Sequence, residues 1–171
     1  METWDAITSR RAVRSFADRP IDQKDLDRIL EAGRRAPSSV NEQRWDFVLV
    51  TGRDRLKRLA EVWRYGKHVA SSAATVALVT PWAEDANERE SVAFDLGQAA
   101  ISMMIAAADL GIGSCHSAVQ DQDLARELLG HPDDRRCDYL IALGYPADRP
   151  LRPIRNPKRR PFEDVVHRDR W

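Results

Sequence analysis

Ala99-Ala-Ile-Ser-Met-Met-Ile-Ala-Ala-Ala108 is the stretch on which the fold turns. It carries no charge and one polar side chain, Ser102. A helix that is apolar on every face must be covered all round, so the run belongs to a core or to a subunit interface. A bilayer span takes about 20 apolar residues, and no uninterrupted apolar run in the chain reaches about 18. The pattern predicts a helix over Glu90 to Leu110, with Met103 and Met104 filling irregular gaps. Gly111-Ile112-Gly113 ends it.

Downstream, Ser114 to Val119 reads as extended, Asp121 to Leu129 as a short helix, and Asp138 to Leu143 as a strand closed by Gly144. Upstream, Asp46 to Thr51 and Thr75 to Thr80 are short β-branched strands, the second stopped by Pro81. Arg53 to Tyr65 and Asp22 to Arg35 have helical spacing, with Asp22 as candidate N-cap of the latter. Residues 2–9 suit a short helix with Trp4 and Ile7 on one face. Pro146, Pro150, Pro153, Pro157 and Pro161 exclude a helical tail and suit an extended arm laid over another surface. The expectation is one α+β domain over residues 1–171, with 146–171 as its closing arm and no internal repeat.

The chain has 171 residues, with 27 basic and 27 acidic side chains. Zero net charge argues against a chain-wide grip on nucleic acid or an anionic membrane. The charge is uneven, however: Arg149 to Trp171 holds eight Lys/Arg against three Asp/Glu. The N-terminus has early charge and no apolar core of a signal peptide, which predicts a cytoplasmic protein. Cys115 and Cys137 fit neither a disulfide scaffold nor a zinc pattern, and no metal site is expected. There is no phosphate-binding P-loop, no G-x-G-x-x-G after a strand and no G-x-S-x-G elbow. Cys115 and His116 are neighbours in an extended segment, so they point to opposite faces and do not make a nucleophile–base pair.

Four segments carry chemistry. Arg10-Arg11-Ala12-Val13-Arg14-Ser15-Phe16 concentrates guanidinium forks, which suit phosphate and flat aromatic systems. Pro37-Ser38-Ser39-Val40-Asn41-Glu42-Gln43-Arg44-Trp45 offers hydroxyl and amide groups on a helix-to-strand loop. The third is Gly111-Ile112-Gly113-Ser114-Cys115-His116, and the fourth is Lys158-Arg159-Arg160-Pro161-Phe162-Glu163-Asp164-Val165-Val166.

In this order and at these separations, the four segments resemble the nitroreductase family of FMN-dependent oxidoreductases. They are similar to its R-R-S-x-R-x-F, P-S-S-x-N-x-Q-P-W, G-L-G-[ST]-C-W and closing basic Pro-Leu-Glu-Glu-Val-Val stretches. The likeness runs from Thr3 to Trp171. It implies a three-layer α/β/α fold, with a short antiparallel-mixed sheet flanked by helices. It also implies an obligate homodimer with FMN at the subunit interface and the all-apolar helix packed against its mate.

By the resemblance, Arg10 and Arg11 would hold the phosphate and ribityl end of FMN, and Ala12 would lie in the same cofactor-binding segment without the hydroxyl contact of the family's serine. Arg14 would lie at the pyrimidine edge, where a cation favours the negative charge of the reduced ring. Pro37, Ser38, Ser39 and Asn41 would contact FMN, the serine loop from the other subunit. Backbone groups of His116, Ser117, Ala118 and Val119 would line the ring. Lys158 and Arg159 would reach the phosphate; an alternating register pairs Lys158 with Arg160 instead. Lys67 or His68 could approach the ring, with no motif to anchor them. No side chain is named as catalytic acid or base.

Ala12 departs from the family's serine, Arg44 from its proline, and His116-Ser117-Ala118-Val119 from its Trp-Ile-Gly-Gly. The implied activity is ping-pong transfer of hydride from NADH or NADPH, through flavin N5, to an electron-poor acceptor such as a nitroaromatic or quinone. Two alternatives stay open. One is a specialised FMN-dependent oxidase, dehydrogenase or dehalogenase of this fold. The other is a degenerate, non-catalytic member.

Overall fold

The computed structural model describes residues 1–171. Its helices are α1 Thr3–Ser9, α2 Gln23–Arg34, α3 Arg53–Leu59, α4 Lys67–Ala70, α5 Ala86–Asp109 and α6 Gln122–Leu129. Its strands are β1 Asp46–Val50, β2 Ala74–Pro81, β3 Gly113–Ala118 and β4 Arg135–Gly144. One sheet forms in the order β1-β2-β4-β3, and every hydrogen-bonded pair is antiparallel. Within the antiparallel-mixed sheet implied by the resemblance, the four named strands are thus wholly antiparallel. β2 and β3 run the same way across α5, but β4 inserts between them. The one parallel pairing is the isolated bridge of Ala12 with Ser114.

β2 and β4 are the central strands, and helices cover both of their faces. That explains why TVALVT and LIAL are unbroken apolar runs rather than alternating ones. Val76, Leu78, Ile141 and Leu143 pack with α2 and α5. Ala77, Val79, Leu140 and Ala142 pack with α3, α4 and α6. The result is the expected three-layer α/β/α arrangement. Gly33 lets α2 and α5 close on each other, because a Cβ there would lie 2.0 Å from Met103 Cε.

α5 starts four residues earlier than its sequence pattern predicts. Asp85 caps it by accepting a 2.9 Å hydrogen bond from the Glu88 N–H, and the charged first turn had hidden the start. At 24 residues it is, by length and composition, long enough to cross a membrane, which a count of uninterrupted apolar residues had not suggested. Leu96, Ala99, Met103 and Ala107 are buried in the fold, yet Ala93, Phe94, Gly97 and Ile101 form an exposed stripe. Phe94 is 69% exposed, so all-round burial does not hold in the single chain. On α1, Trp4 is 72% exposed.

Other boundaries shift for identifiable reasons. The helix predicted to reach Tyr65 ends at Leu59 in a 3₁₀ turn, Ala60–Val62. The Val62 carbonyl then accepts from the N–H groups of Gln120 and Asp121, at 3.0 and 3.1 Å, instead of continuing the helix. Asp22 sits at the N-cap of α2 without a side-chain cap bond; its carbonyl accepts from Asp25 and Leu26.

The tail is an arm laid over the N-terminal segment. Ala147 N–H donates to the Ser15 carbonyl at 3.0 Å, and Ile154 N–H to that of Thr8 at 3.1 Å. Between them Leu151 packs against Val13 and Ala108.

Candidate functional site

Beyond α1, residues Arg10 to Phe16 run beside β3, pinned by the Val13 N–H on the Ser114 carbonyl at 3.0 Å. Val13 is buried over Gly113, and Phe16 lies over Gly144. An extended backbone sends alternate side chains to opposite faces. Arg10 and Arg14 accordingly lie on the side of Cys115, whose thiol feels both charges. Arg11 turns the other way, donating to Asp148 Oδ1 at 2.6 Å and to the Arg149 carbonyl at 2.9 Å. Ala12 is exposed between them. The structure thus separates Arg10 from Arg11, which the resemblance had placed at one phosphate.

β3 is an edge strand. Because the Ser114 carbonyl points away from β4 to Val13, the same-facing residues His116 and Ala118 direct their N–H groups to the open edge. Ser117 is buried on the other register, its hydroxyl donating to the Ala118 carbonyl at 3.3 Å, and Val119 packs beneath α6. The opposite-face expectation for Cys115 and His116 holds. Cys115 is buried and pairs with Ala142, whereas His116 is exposed and pairs with Ile141. Burial pushes the Cys115 thiol up, Arg14 and Arg10 opposing it. Cys137 is pushed up to about 12 by burial and is inert as a nucleophile.

The His116 ring meets Tyr139 edge-on at 6.4 Å. Together they border an apolar groove of about 340 Å³ between α5 and the sheet, floored by Met104 and Ile141. Below the β3 edge stands His68 of α4, 5% exposed, with a buried Nε2 that has no partner. Burial first, and then Arg14, holds its pKa below the ordinary 6.5; the carbonyls of Tyr65 and His116 act the other way. The ring is therefore neutral at neutral pH.

The serine loop is built elsewhere. Asp95 of α5 is 2% exposed and accepts from Ser39 N–H at 2.9 Å and from the Ser39 hydroxyl at 3.1 Å. Ser91 donates to the Ser39 hydroxyl, and Ser38 Oγ accepts from Gln43 N–H. Val40, Asn41 and Gln43 have positive φ, and Val40 is among the most exposed apolar residues. Pro37 and Asn41 are exposed. No hydrogen bond or ion pair joins this loop to Arg10, Arg14 or the β3 edge. Lys158, Arg159 and Arg160 are also exposed; Arg159 donates to the Lys158 carbonyl and Arg160 to that of Asp164.

Two site residues escaped the motifs. Asp95 had a signal, since it is the one charge between Ser91 and Ala108. His68 had none beyond its neighbour Lys67, because a four-residue helix carries no period. The assembled edge offers two guanidiniums, outward N–H groups and a flanking apolar groove. That is a seat for a flat heterocycle with an electron-rich edge.

The sequence matches the family model described as Nitroreductase family over residues 7–75 and 61–145. It is 31% identical over 169 residues to a protein of Archaeoglobus fulgidus whose provisional name is NADH dehydrogenase/NAD(P)H nitroreductase, with 96% of each chain covered. Its fold matches nitroreductase A of Vibrio parahaemolyticus with a TM-score of 0.86 at 26% identity, covering 97% of this chain and 75% of that one. It also matches the NADPH:FMN oxidoreductase of Vibrio harveyi complexed with NAD+, with a TM-score of 0.84 at 25% identity, covering 97% and 76%.

Proposed function

The chain belongs to the nitroreductase family, and from that premise we propose that it is a cytoplasmic, FMN-dependent oxidoreductase. It takes reducing equivalents from NADH or NADPH and delivers them to a small electron-poor acceptor, such as a nitroaromatic or a quinone. Donor and acceptor use one cleft in turn. The observation that carries the reading is the β3 edge, where Arg10 and Arg14 flank Cys115 and the His116 and Ala118 N–H groups face outward.

The residues present fit FMN. Its ring needs donors along one edge and a cation near the pyrimidine, and the partnerless Nε2 of buried His68 marks a polar atom with a vacant bond in the same place. Bound there, FMN supplies hydride acceptance and release at N5. The chain's own work is positional. Outward N–H groups of β3 orient the ring, and Arg14 holds its electron-rich edge.

The enzyme works as a homodimer, with residues 1–171 forming one domain. Ala93, Phe94, Gly97 and Ile101 form an exposed apolar stripe along α5, and Trp4 and Ile7 of α1 are exposed as well; a second copy would cover such apolar surface. The serine loop, Pro37 to Asn41, is tied to α5 at Asp95 and away from its own chain's Arg10 and Arg14. Across the dimer it would serve the partner's flavin. The names of the Vibrio harveyi and Archaeoglobus fulgidus relatives support the cofactor and the donor class.

Reversing the charge of Arg10 and Arg14 together tests the assignment. The double variant should purify colourless while keeping the oligomer size of the parent. Stoichiometric FMN in that variant would refute the placement.

A further inference from the structure

Five buried polar side-chain atoms have no hydrogen-bond partner. Those of Arg44, Asp109 and Arg136 belong to residues in ion pairs, and His131 lies half-buried between α6 and β4. The fifth is Nε2 of His68, a residue only 5% exposed. A buried ring nitrogen of this kind has given up water and gained no bond in return. Its support is rigid. α4 has four residues, but both of its ends are pinned. Before it, a Cβ on Gly66 would lie 2.3 Å from the Ala60 carbonyl oxygen, so the turn closes with no room for a side chain. After it, the Ser72 hydroxyl donates to the Val69 carbonyl at 2.8 Å and meets the Thr75 hydroxyl of β2 at 3.0 Å.

The charges around the ring are of one sign. Arg14 faces it from the N-terminal segment and His116 from β3, with the carbonyls of Tyr65 and His116 beside them. No acid is among the groups that act on it. Lys67, its neighbour in sequence, is exposed. Cys115, the other buried titratable group near Arg14, is pushed up by burial and stays a thiol. Arg14 has no carboxylate partner in the chain, unlike Arg11, which is paired with Asp148. A second positive charge is therefore unwelcome at His68 as long as nothing negative stands opposite Arg14.

We propose that His68 is the proton acceptor coupled to flavin reduction: its buried ring is neutral beside the oxidised cofactor and takes a proton at Nε2 when the cofactor receives hydride. The inference rests on the FMN reading of the β3 edge. NADH or NADPH gives two electrons and one proton to the ring and leaves as NAD+ or NADP+. The isoalloxazine, neutral when oxidised, then carries one negative charge. An opposite charge within about 4–6 Å strengthens proton uptake by about ten- to a thousandfold. The proton comes from water and returns to it when the acceptor removes the hydride. The net charge of the pocket is the same in both states. It is that of Arg14 alone before reduction, and the sum of Arg14, His68 and the negative ring after it.

Two measurements on the flavin-loaded protein test this, neither of them turnover. In the first, the side-chain nitrogen NMR signals of His68 are recorded at neutral pH before and after anaerobic reduction with dithionite. They are assigned through their own backbone, so no variant is needed. Signals of a neutral ring that become those of an imidazolium on reduction are the expected result. A ring in the same state in both forms overturns the proposal. In the second, the flavin midpoint potential is followed against pH in the parent and in His68→Gln. Around neutral pH the parent should take up two protons for two electrons, and the variant one. Equal uptake in both proteins overturns the proposal, and two protons in both would place the second on the flavin itself. Protein that takes up no FMN on incubation refutes the cofactor reading, and this inference with it. Protein that binds FMN and fails either measurement refutes this inference alone.

Discussion

The side chain of Val13 fills the space that a Cβ on Gly113 would need: an added Cβ would sit 2.7 Å from Val13 Cγ2. The relationship recurs one strand over. Gly144 is the register partner of Gly113, and a Cβ there would lie 2.7 Å from Phe16 Cδ1. Two facing glycines thus seat Val13 and Phe16, and the arginine segment between α1 and α2 is fixed against the sheet by these two plugs. Arg14 lies between them in sequence and is aimed by them.

Gly113→Ala should therefore shift the arginine segment as well as the strand. Overpacking of this kind costs roughly 1–3 kcal/mol. A lower midpoint in urea, together with faster flavin loss, is the expected outcome. Unchanged stability and flavin retention would mean that the segment is not held by this contact.

Much of this was legible in the sequence. Strands β1 and β2, the central helix and the extended β3 follow from apolar period and glycine punctuation. The separation of Arg10 from Arg11 was equally available. The alternation rule that divides Cys115 from His116 divides the arginines as well, once that segment is seen to be extended. The Asp95 anchor and the His68 seat are different. They depend on which loop and which short helix meet β3 and α5 in space, and no local spacing encodes that. The start of α5 was masked because its first turn is charged, as the positive end of a helix dipole allows.

Asp95→Ala should release the serine loop. The half-buried Ser39 N–H and hydroxyl would lose their acceptor, at a cost of about 1 kcal/mol. Chemical denaturation should show the loss. A variant as stable as the parent would show that the loop stands without α5.

Val40→Gly should raise the melting temperature. A left-handed β-branched residue costs roughly 1–2 kcal/mol, and the added freedom of glycine in the unfolded chain returns roughly 0.5–1 kcal/mol of that. The net gain is roughly 0–1.5 kcal/mol. A lower melting temperature would indicate that the Val40 side chain makes a stabilising contact, such as one in the dimer.

His68 should shape the acid limb of stability. Its pKa is lowered from 6.5 in the folded protein, mainly by burial and next by Arg14. As pH falls below 6.5, the unfolded chain takes up this proton before the folded one does. Stability contributed by the neutral ring is present above that pH and declines as pH drops towards the lowered folded value. His68→Gln should flatten this part of the profile of unfolding midpoint against pH. Identical slopes in parent and variant would remove His68 from the account.

The central claim is that this chain holds a working flavin at the β3 edge. Its most direct test is the absorbance spectrum of the purified protein, followed by anaerobic addition of NADH and then NADPH. The account predicts flavin bands that bleach with one or both donors. Protein that is colourless even after incubation with FMN, or a flavin that stays oxidised with both donors, would contradict it.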